Sequence, residues 1–353
     1  MIHFSIENKI VKEENDLIIR DYDVASLYPN IGITNNFYPL HLSKDFCEIY
    51  KNLYEERKKY SKSNPLNGAI KLSLNSVYGM SNSEFSNFYD SSYTLKITLN
   101  GQMLLLMLAE KLIERVKCLE SIQYNTDGIS IRYPKQYDNI VKKTIKQWED
   151  LTKLQMEESK YSKMVIANVN NYIALYTDGK VKRKGSFEYN RGLAQDHSML
   201  IVPKAVEAYF LYNILPEETI ANCKNIYDFC KRVLIKDKHH ELWQGTIKSV
   251  EIPNTISRKT KLPKREDKFF KEVKLQKVTR YIVTNEGKTI MKIMPPLKGK
   301  ENIRENNVEA GWLCTECNNL NNHNIEELFK QINYDYYINE CYKIINQFKE
   351  KNE

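Results

Sequence analysis

Two apolar runs in this chain each end in an acidic turn, and any fold the chain adopts is constrained by where it puts those two turns. Leu17 to Ile19 leads into Asp21 and Asp23 in DYDVASLYPN, and Ile122 leads through Tyr124 into Asn125, Thr126, Asp127 and Gly128 in IQYNTDGISI. Strand ends of this kind can converge. Two carboxylates brought together stay ionised only if cations neutralise them, and a pair of Mg²⁺ ions about 4 Å apart is the usual solution in phosphoryl chemistry. Each segment alone has a blander reading. Asp and Asn beside a turn commonly hydrogen-bond their own backbone, and Asn125 to Gly128 suits a plain hairpin turn between Gln123-Tyr124 and Ile129-Ile131.

A third segment lies between the two. In GAIKLSLNSVYGMSN, Lys71, Asn75 and Tyr78 fall at i, i+4 and i+7, which puts them on one helical face with Gly79 as the stop. A cation, an amide and a phenol on one face suit a nucleotide: Lys for phosphate, Asn and Tyr for sugar and base.

In this order, DVASLYPN, KLSLNSVYG and YNTDGIS resemble the three polymerase motifs of family B DNA polymerases, in the looser form found in phage and other viral replicases. Downstream, NNYIALYTDGKVKRKGSFEYN is similar to the family's primer-gripping segment. RGLAQDHSMLIVPKAVEAYFLYNILPEETI resembles the start of a phage polymerase thumb, and INYDYYINECYKII its last helix. The likeness runs from about Ile18 to the C-terminus.

The resemblance implies that Asp23 and Asp127 hold two Mg²⁺ ions, with Mn²⁺ as the alternative ion and the carbonyl of Val24 as a further ligand. It implies that Ser26 and Leu27 offer N–H groups to a triphosphate, and that Tyr28 lies under the incoming sugar, excluding a 2′-hydroxyl by a clash. Lys71 would neutralise phosphate, with Asn75 and Tyr78 near the nascent pair. Arg57 stands where the family's fingers helix carries a triphosphate-binding Arg, although Lys58, Lys59 and Lys62 beside it leave a solvated basic face as the other reading. Primer and template would meet Gly79, Asn125, Thr126, Tyr172, Lys182, Lys184 and Gly185. The chain departs from the family at several of these positions. Asn125 replaces the usual first Asp of Asp-Thr-Asp, removing one charge beside the metals, and Gly128 replaces Ser. Asn170-Asn171 precedes Tyr172 where the family often has Lys, so the basic role passes to Lys182, Arg183 or Lys184, and Gly185 allows close approach to DNA.

The implied architecture is α+β: a right-hand polymerase with an antiparallel-sheet palm, short two-helix fingers and a mostly helical thumb. Residues 1–35 would begin the palm, 36–80 form the fingers, 81–190 complete the palm and 191–353 form the thumb. Helices are expected over about 46–62, 66–78, 93–117 and 136–158, a strand pair around Asp127, and strands near 164–176 and 180–189. Within the thumb, a basic linker is expected over about 252–267. A small hairpin is expected over 280–293, turning at Asn285-Glu286-Gly287.

Composition bears on partners. The 353 residues carry a net charge of +8 with basic clusters at Arg57–Lys59, Lys180–Lys184, Lys231–Lys238 and Lys259–Lys274, and 24 Tyr offer stacking faces, which suits primer-template DNA and deoxynucleoside triphosphates. Seven Cys, an odd number, and the absence of a leader point to a reducing, cytoplasmic setting, the host cytoplasm if the chain is phage-encoded. Cys314 and Cys317 read as loop thiols rather than a zinc site. Met103 to Ala109 is too short to span a membrane, so no membrane partner is expected. Ser26 has no His nearby in sequence, so a covalent mechanism has no motif behind it. So little chain precedes Asp23 that no proofreading exonuclease is expected here; a separate N-terminal polypeptide would supply it if the gene is split. Two other readings stay open: a catalytically silent DNA-binding half that needs that partner, and a metal-dependent nuclease. A ribonucleotide-using polymerase is argued against by Tyr28.

Overall fold

Leu17–Val24 becomes a central strand because both of its faces find cover. Ile18, Tyr22 and Val24 enter one core cluster and Ile19 enters another, and since strand side chains alternate, Asp21 and Asp23 share the face of Ile19. The computed structural model describes residues 3–192, 195–256 and 262–349. It divides into the units Met1–Gly185 and Ser186–Glu353. Both combine helices with antiparallel sheet, so the α+β class holds.

In the first unit, β1 (Phe4–Ser5), β2 (Lys9–Lys12) and β3 (Leu17–Val24) precede four helices: α1 (Leu27–Asn35), α2 (Asp45–Lys58), α3 (Pro65–Met80) and α4 (Ser91–Arg115). Then come β4 (Glu120–Tyr124), β5 (Gly128–Pro134), α5 (Asp138–Thr152), β6 (Met156–Asn168), β7 (Asn171–Tyr176) and β8 (Val181–Lys184). The strands form one sheet in the order β1-β4-β5-β3-β6-β7-β8, with β2 on β6. All five helices contribute side chains to the cluster around Tyr22, including Ile31, Tyr50, Leu74, Leu108 and Trp148. The α2–α3 pair forms as expected, since Asn64 caps α3 by accepting from the Leu66 N–H at 2.9 Å and Pro65 occupies the first helical position. α3 runs one residue past Gly79, where an added Cβ would meet nothing within 4 Å, so no steric requirement makes that glycine the stop. α5 is shorter than expected. It ends where Lys153 turns left-handed at φ 61°, and Glu157 and Glu158 pass into β6.

The second unit corrects the expectation of a mostly helical segment. It contains α6 (Ile201–Tyr212), α7 (Pro216–Ala221), β9 (Lys231–Leu234), β10 (Glu241–Ile256), β11 (Pro263–Leu275), β12 (Val278–Thr284), β13 (Thr289–Met294), β14 (Arg304–Asn307), β15 (Leu313–Glu316), α8 (Ile325–Gln331) and α9 (Tyr334–Asn346). Residues 252–256 and 263–267 of the supposed basic linker belong to β10 and β11, which pair antiparallel from Leu242–Leu275 to Ile256–Pro263. Residues 257–261, which include Lys259 and Lys261 of the basic cluster, lie outside the described residues. Along β11 only Phe269 is buried, packing on Met291 and Ile293, so this strand shows no two-sided hydrophobic pattern. The hairpin over 280–293 is also corrected: β12 and β13 belong to different sheets, β15-β12-β9 and β11-β10-β13-β14. The turn between them is held from elsewhere, by Asn285 N–H on Gln331 O at 2.8 Å and a reciprocal Lys288–Cys314 pair at 2.9 Å each way. The last helix falls where INYDYYINECYKII suggested, capped by Asn333 on the Tyr336 N–H at 2.9 Å. Cys314 is a buried strand residue and not a loop thiol; Cys317 lies in the loop just past that strand and is buried.

Candidate functional site

The two acidic turns meet. β3 and β5 pair with Asp23 opposite Gly128, and the Val24 N–H donates to the Asp127 carbonyl at 2.6 Å. Gly128 is required by that approach, because a Cβ there would lie 2.1 Å from Asp23 Oδ1 and 2.9 Å from Tyr22 O. The turn before it is built by Asn125, whose Oδ1 accepts the N–H groups of Asp127 at 3.2 Å and Gly128 at 2.6 Å. Asn125 is therefore engaged in shaping its own turn. Thr126 Oγ1 is 3.3 Å from His3 Nε2.

Asp21, two residues before Asp23, is 2 % exposed. It accepts from Ser130 Oγ at 2.5 Å, Tyr161 OH at 2.9 Å and Lys182 Nζ at 3.2 Å. Lys182 also reaches to 3.6 Å from Asp23 Oδ2, its ammonium passing over the rings of Tyr161 and Tyr172 at 5.7 and 5.8 Å. Tyr172 is 3 % exposed and lies in the core. Lys182 is the counter-ion of the carboxylates. Lys184 is exposed. Gly185 is needed within the chain: at φ 62° its Cβ would stand 2.3 Å from Asn170 O.

Burial, then the neighbouring charge of Asp21, raises the Asp23 carboxyl to about 6 against the pull of Lys182. Asp127 is raised by desolvation first and by Asp21 further, opposed by its own N–H, Lys182 and Lys184. Both carboxylates thus lack sufficient positive charge. With the Val24 backbone bordering the same cleft, the donor set is all oxygen, which fits Mg²⁺ or Mn²⁺. Among the described residues no group of three or more His, Cys, Asp or Glu is arranged to hold an ion. Water and phosphate oxygens would have to complete the coordination, which is the habit of Mg²⁺.

Beside the carboxylates opens a cleft of about 740 Å³. One wall is the start of α1, where Ser26 adopts a left-handed backbone at φ 50°, ψ 56°, and Asn30 Nδ2 fixes the bend by donating to Ala25 O at 2.6 Å. The first N–H groups of a helix have no partner inside it, so those near Ser26 and Leu27 are directed to the cleft end of α1. Arg57 donates to Ser26 Oγ at 2.6 Å and to Asn67 Oδ1 at 3.2 Å. Asn67 in turn donates to the carbonyls of Tyr60 and Arg57 at 2.8 and 3.3 Å, tying the end of α2 to the start of α3. The neighbouring lysines have acidic partners: Lys58 with Glu55, Lys59 with Glu56, and Lys62 with Glu157 at 2.8 Å. Arg57 and Lys71 have none within 4.0 Å among the described residues, and both line the cleft with Asn75. Tyr28 lines it too. Tyr78 stands behind, its ring stacked on Tyr28 at 3.8 Å and its hydroxyl 2.9 Å from Thr98 Oγ1.

Asp21 was named beside Asp23 from the sequence but given no role, and Asn67 and Glu157 were not singled out. Period-two alternation could have put Asp21 on the face of Asp23. Glu157 pairs in register with Asp23, a relation visible only once β6 is known to begin at Met156. No helix among the described residues is long and apolar enough to cross a membrane.

No protein-family model matches the chain, and no curated protein matches it. Among solved structures, the family B DNA polymerase from the hyperthermophilic archaeon Pyrobaculum calidifontis is similar over 96% of this chain and 45% of that one, at 14% identity and a TM-score of 0.47. The chain spans less than half the length of that polymerase.

Proposed function

We propose that this chain is a template-directed DNA polymerase of the phage and viral kind, extending a primer 3′-hydroxyl with deoxynucleotides. The observation that carries this reading is the charge of the cleft: two under-neutralised carboxylates, Asp23 and Asp127, line the same volume as Arg57 and Lys71, two cations without acidic partners within 4.0 Å among the described residues. A triphosphate with its metals satisfies both sets of charges at once.

Arg57 and Lys71 bind and orient the phosphates, with the first N–H groups of α1 adding donors to them. Tyr28, held by its stack on Tyr78, forms the floor beneath the sugar and leaves no room for a 2′-hydroxyl. Asp23, Asp127 and the Val24 carbonyl would hold Mg²⁺ or Mn²⁺, an ion that would supply a lowered pKa for the primer hydroxyl and positive charge for the leaving pyrophosphate. Lys182 and Asp21 fix the Asp23 carboxylate from behind. The protein's share of the work is positioning and charge placement. In this reading the sheet of the first unit is the palm, α2 and α3 are the fingers, the second unit serves as the thumb, and a separate polypeptide supplies any proofreading, in the host cytoplasm.

Primer extension on a labelled primer-template with Mg²⁺ tests this directly, comparing the parent with Asp23→Asn and Asp127→Asn. Extension by the parent that both variants lose is the expected result. Activity that survives both substitutions would sink the reading, whereas salt-sensitive DNA binding without extension would support the half-enzyme that needs a partner.

A further inference from the structure

The unit Ser186–Glu353 contains an electrostatic conflict that its own residues do not resolve. Arg232 on β9 and Arg280 on β12 stand directly opposite each other in an antiparallel pair, both exposed, and like charges in that position are destabilising. One carboxylate answers them. Asp196 Oδ1 lies 3.5 Å from Arg232 Nε and already accepts from the Ser198 N–H and hydroxyl at 3.2 and 2.8 Å. Lys231, next in the strand, is taken up by Glu309. Arg280 has no carboxylate within 4.0 Å among the described residues. Both arginines line one small polar cavity of about 70 Å³.

We propose that Arg232 and Arg280 form a phosphate-binding site in the second unit. Two guanidiniums side by side are suited to the oxygens of one phosphate group by their fixed fork of donors, and the anion removes the repulsion between them. The site does not depend on the polymerase reading, since none of its residues belongs to the Asp23–Asp127 cleft. The phosphate has two possible sources: inorganic phosphate, or a phosphodiester of a nucleic-acid backbone.

The test follows the arginine Nε–H resonances of the ¹⁵N-labelled full chain during titration with inorganic phosphate at constant ionic strength. Saturable shifts of Arg232 and Arg280 are expected, with Arg265, paired to Glu251 at 3.1 Å, unmoved. Arg280→Gln should weaken phosphate binding about tenfold or more, the size of a lost charge-assisted hydrogen bond. In phosphate-free buffer the same variant should melt at or above the parent's temperature, because it removes a repulsion. Shifts no larger at Arg232 and Arg280 than at Arg265, or a clear loss of stability in Arg280→Gln without phosphate, would overturn the site. A duplex oligonucleotide that competes with phosphate for these resonances, and whose affinity loses about one unit of salt slope in the variant, identifies the source as a backbone phosphodiester. Binding of phosphate without such competition identifies free phosphate.

Discussion

Asp23 is held in a form that costs the folded chain stability. Its folded pKa, about 6, lies above the ordinary value of 3.8, so the folded state binds this proton more tightly than the unfolded state does. The stability it contributes is fully present below 3.8 and is lost as pH rises through about 6. Asp23→Asn should therefore flatten the fall in melting temperature between pH 4 and 7. At neutral pH it should leave the metal-free chain more stable by about 1–2 kcal/mol, after discounting for the 34% exposure of the side chain. Thermal melts of parent and variant across that range check this; parallel pH curves would refute it. Divalent ions compete with the same proton, so Mn²⁺ affinity should climb with pH and level off above about 6. Gly128→Ala acts on the same carboxylate. Its Cβ falls where Asp23 Oδ1 stands, so the carboxylate must swing away, and metal affinity should fall about tenfold or more for a stability loss of about 1–3 kcal/mol. Isothermal titration with Mn²⁺ beside urea unfolding separates the two effects. The sequence made Asp23 and Asp127 legible because an acidic residue at a strand end is a local pattern. It did not reveal the demand on Gly128, which depends on a neighbouring strand.

At the level of elements, the sheet is stitched by a lysine that crosses it. β8 lies three places from β3 in the strand order, yet Lys182 reaches Asp21 and Tyr161 at 3.2 and 3.0 Å. Asp21 is 2% exposed and Lys182 20% at the side chain, so removing one partner strands a buried charge. Lys182→Met should cost about 3–5 kcal/mol, and adding Asp21→Asn should recover much of that loss. Urea unfolding of the single and double variants checks it; a double variant as unstable as Lys182→Met would show that the ammonium acts through packing. From sequence, Lys182 was one of several basic residues in VKRKG, and nothing local distinguishes an inward lysine from a DNA contact. The burial of Tyr172 was not legible for the same reason, since burial on a sheet face depends on the strands to either side. The α2–α3 pair was legible because Asn64-Pro65 carries its cap in the sequence. The separation of β12 and β13 into different sheets was not, because a turn signal fixes where the chain reverses and not which strands then pair.

The division into two units gives the whole molecule two separable responses. Met1–Gly185 owns its sheet and the cluster around Tyr22. Ser186–Glu353 owns two sheets and an aromatic core in which Phe229 meets Phe329, Tyr334 and Tyr337 at 6.2, 5.9 and 5.2 Å. This second core is where sequence reading failed most, because β9, β14 and β15 are short, β11 is charged on both faces, and several strand partners are distant in the chain. Proteins with two such cores commonly depart from a single two-state transition. A ligand stabilises only the unit it binds, by about 2.7 kcal/mol at a hundredfold excess over Kd. Calorimetry of the full chain should therefore resolve two transitions. Mn²⁺ should raise the one lost from residues 1–185, and inorganic phosphate the one lost from residues 186–353. Asp23→Asn should abolish the first shift alone and Arg280→Gln the second alone. A single transition moved by both ligands would mean that the units unfold as one cooperative body. In that case the stability effects of Asp23 and Arg280 would have to be read on the whole chain.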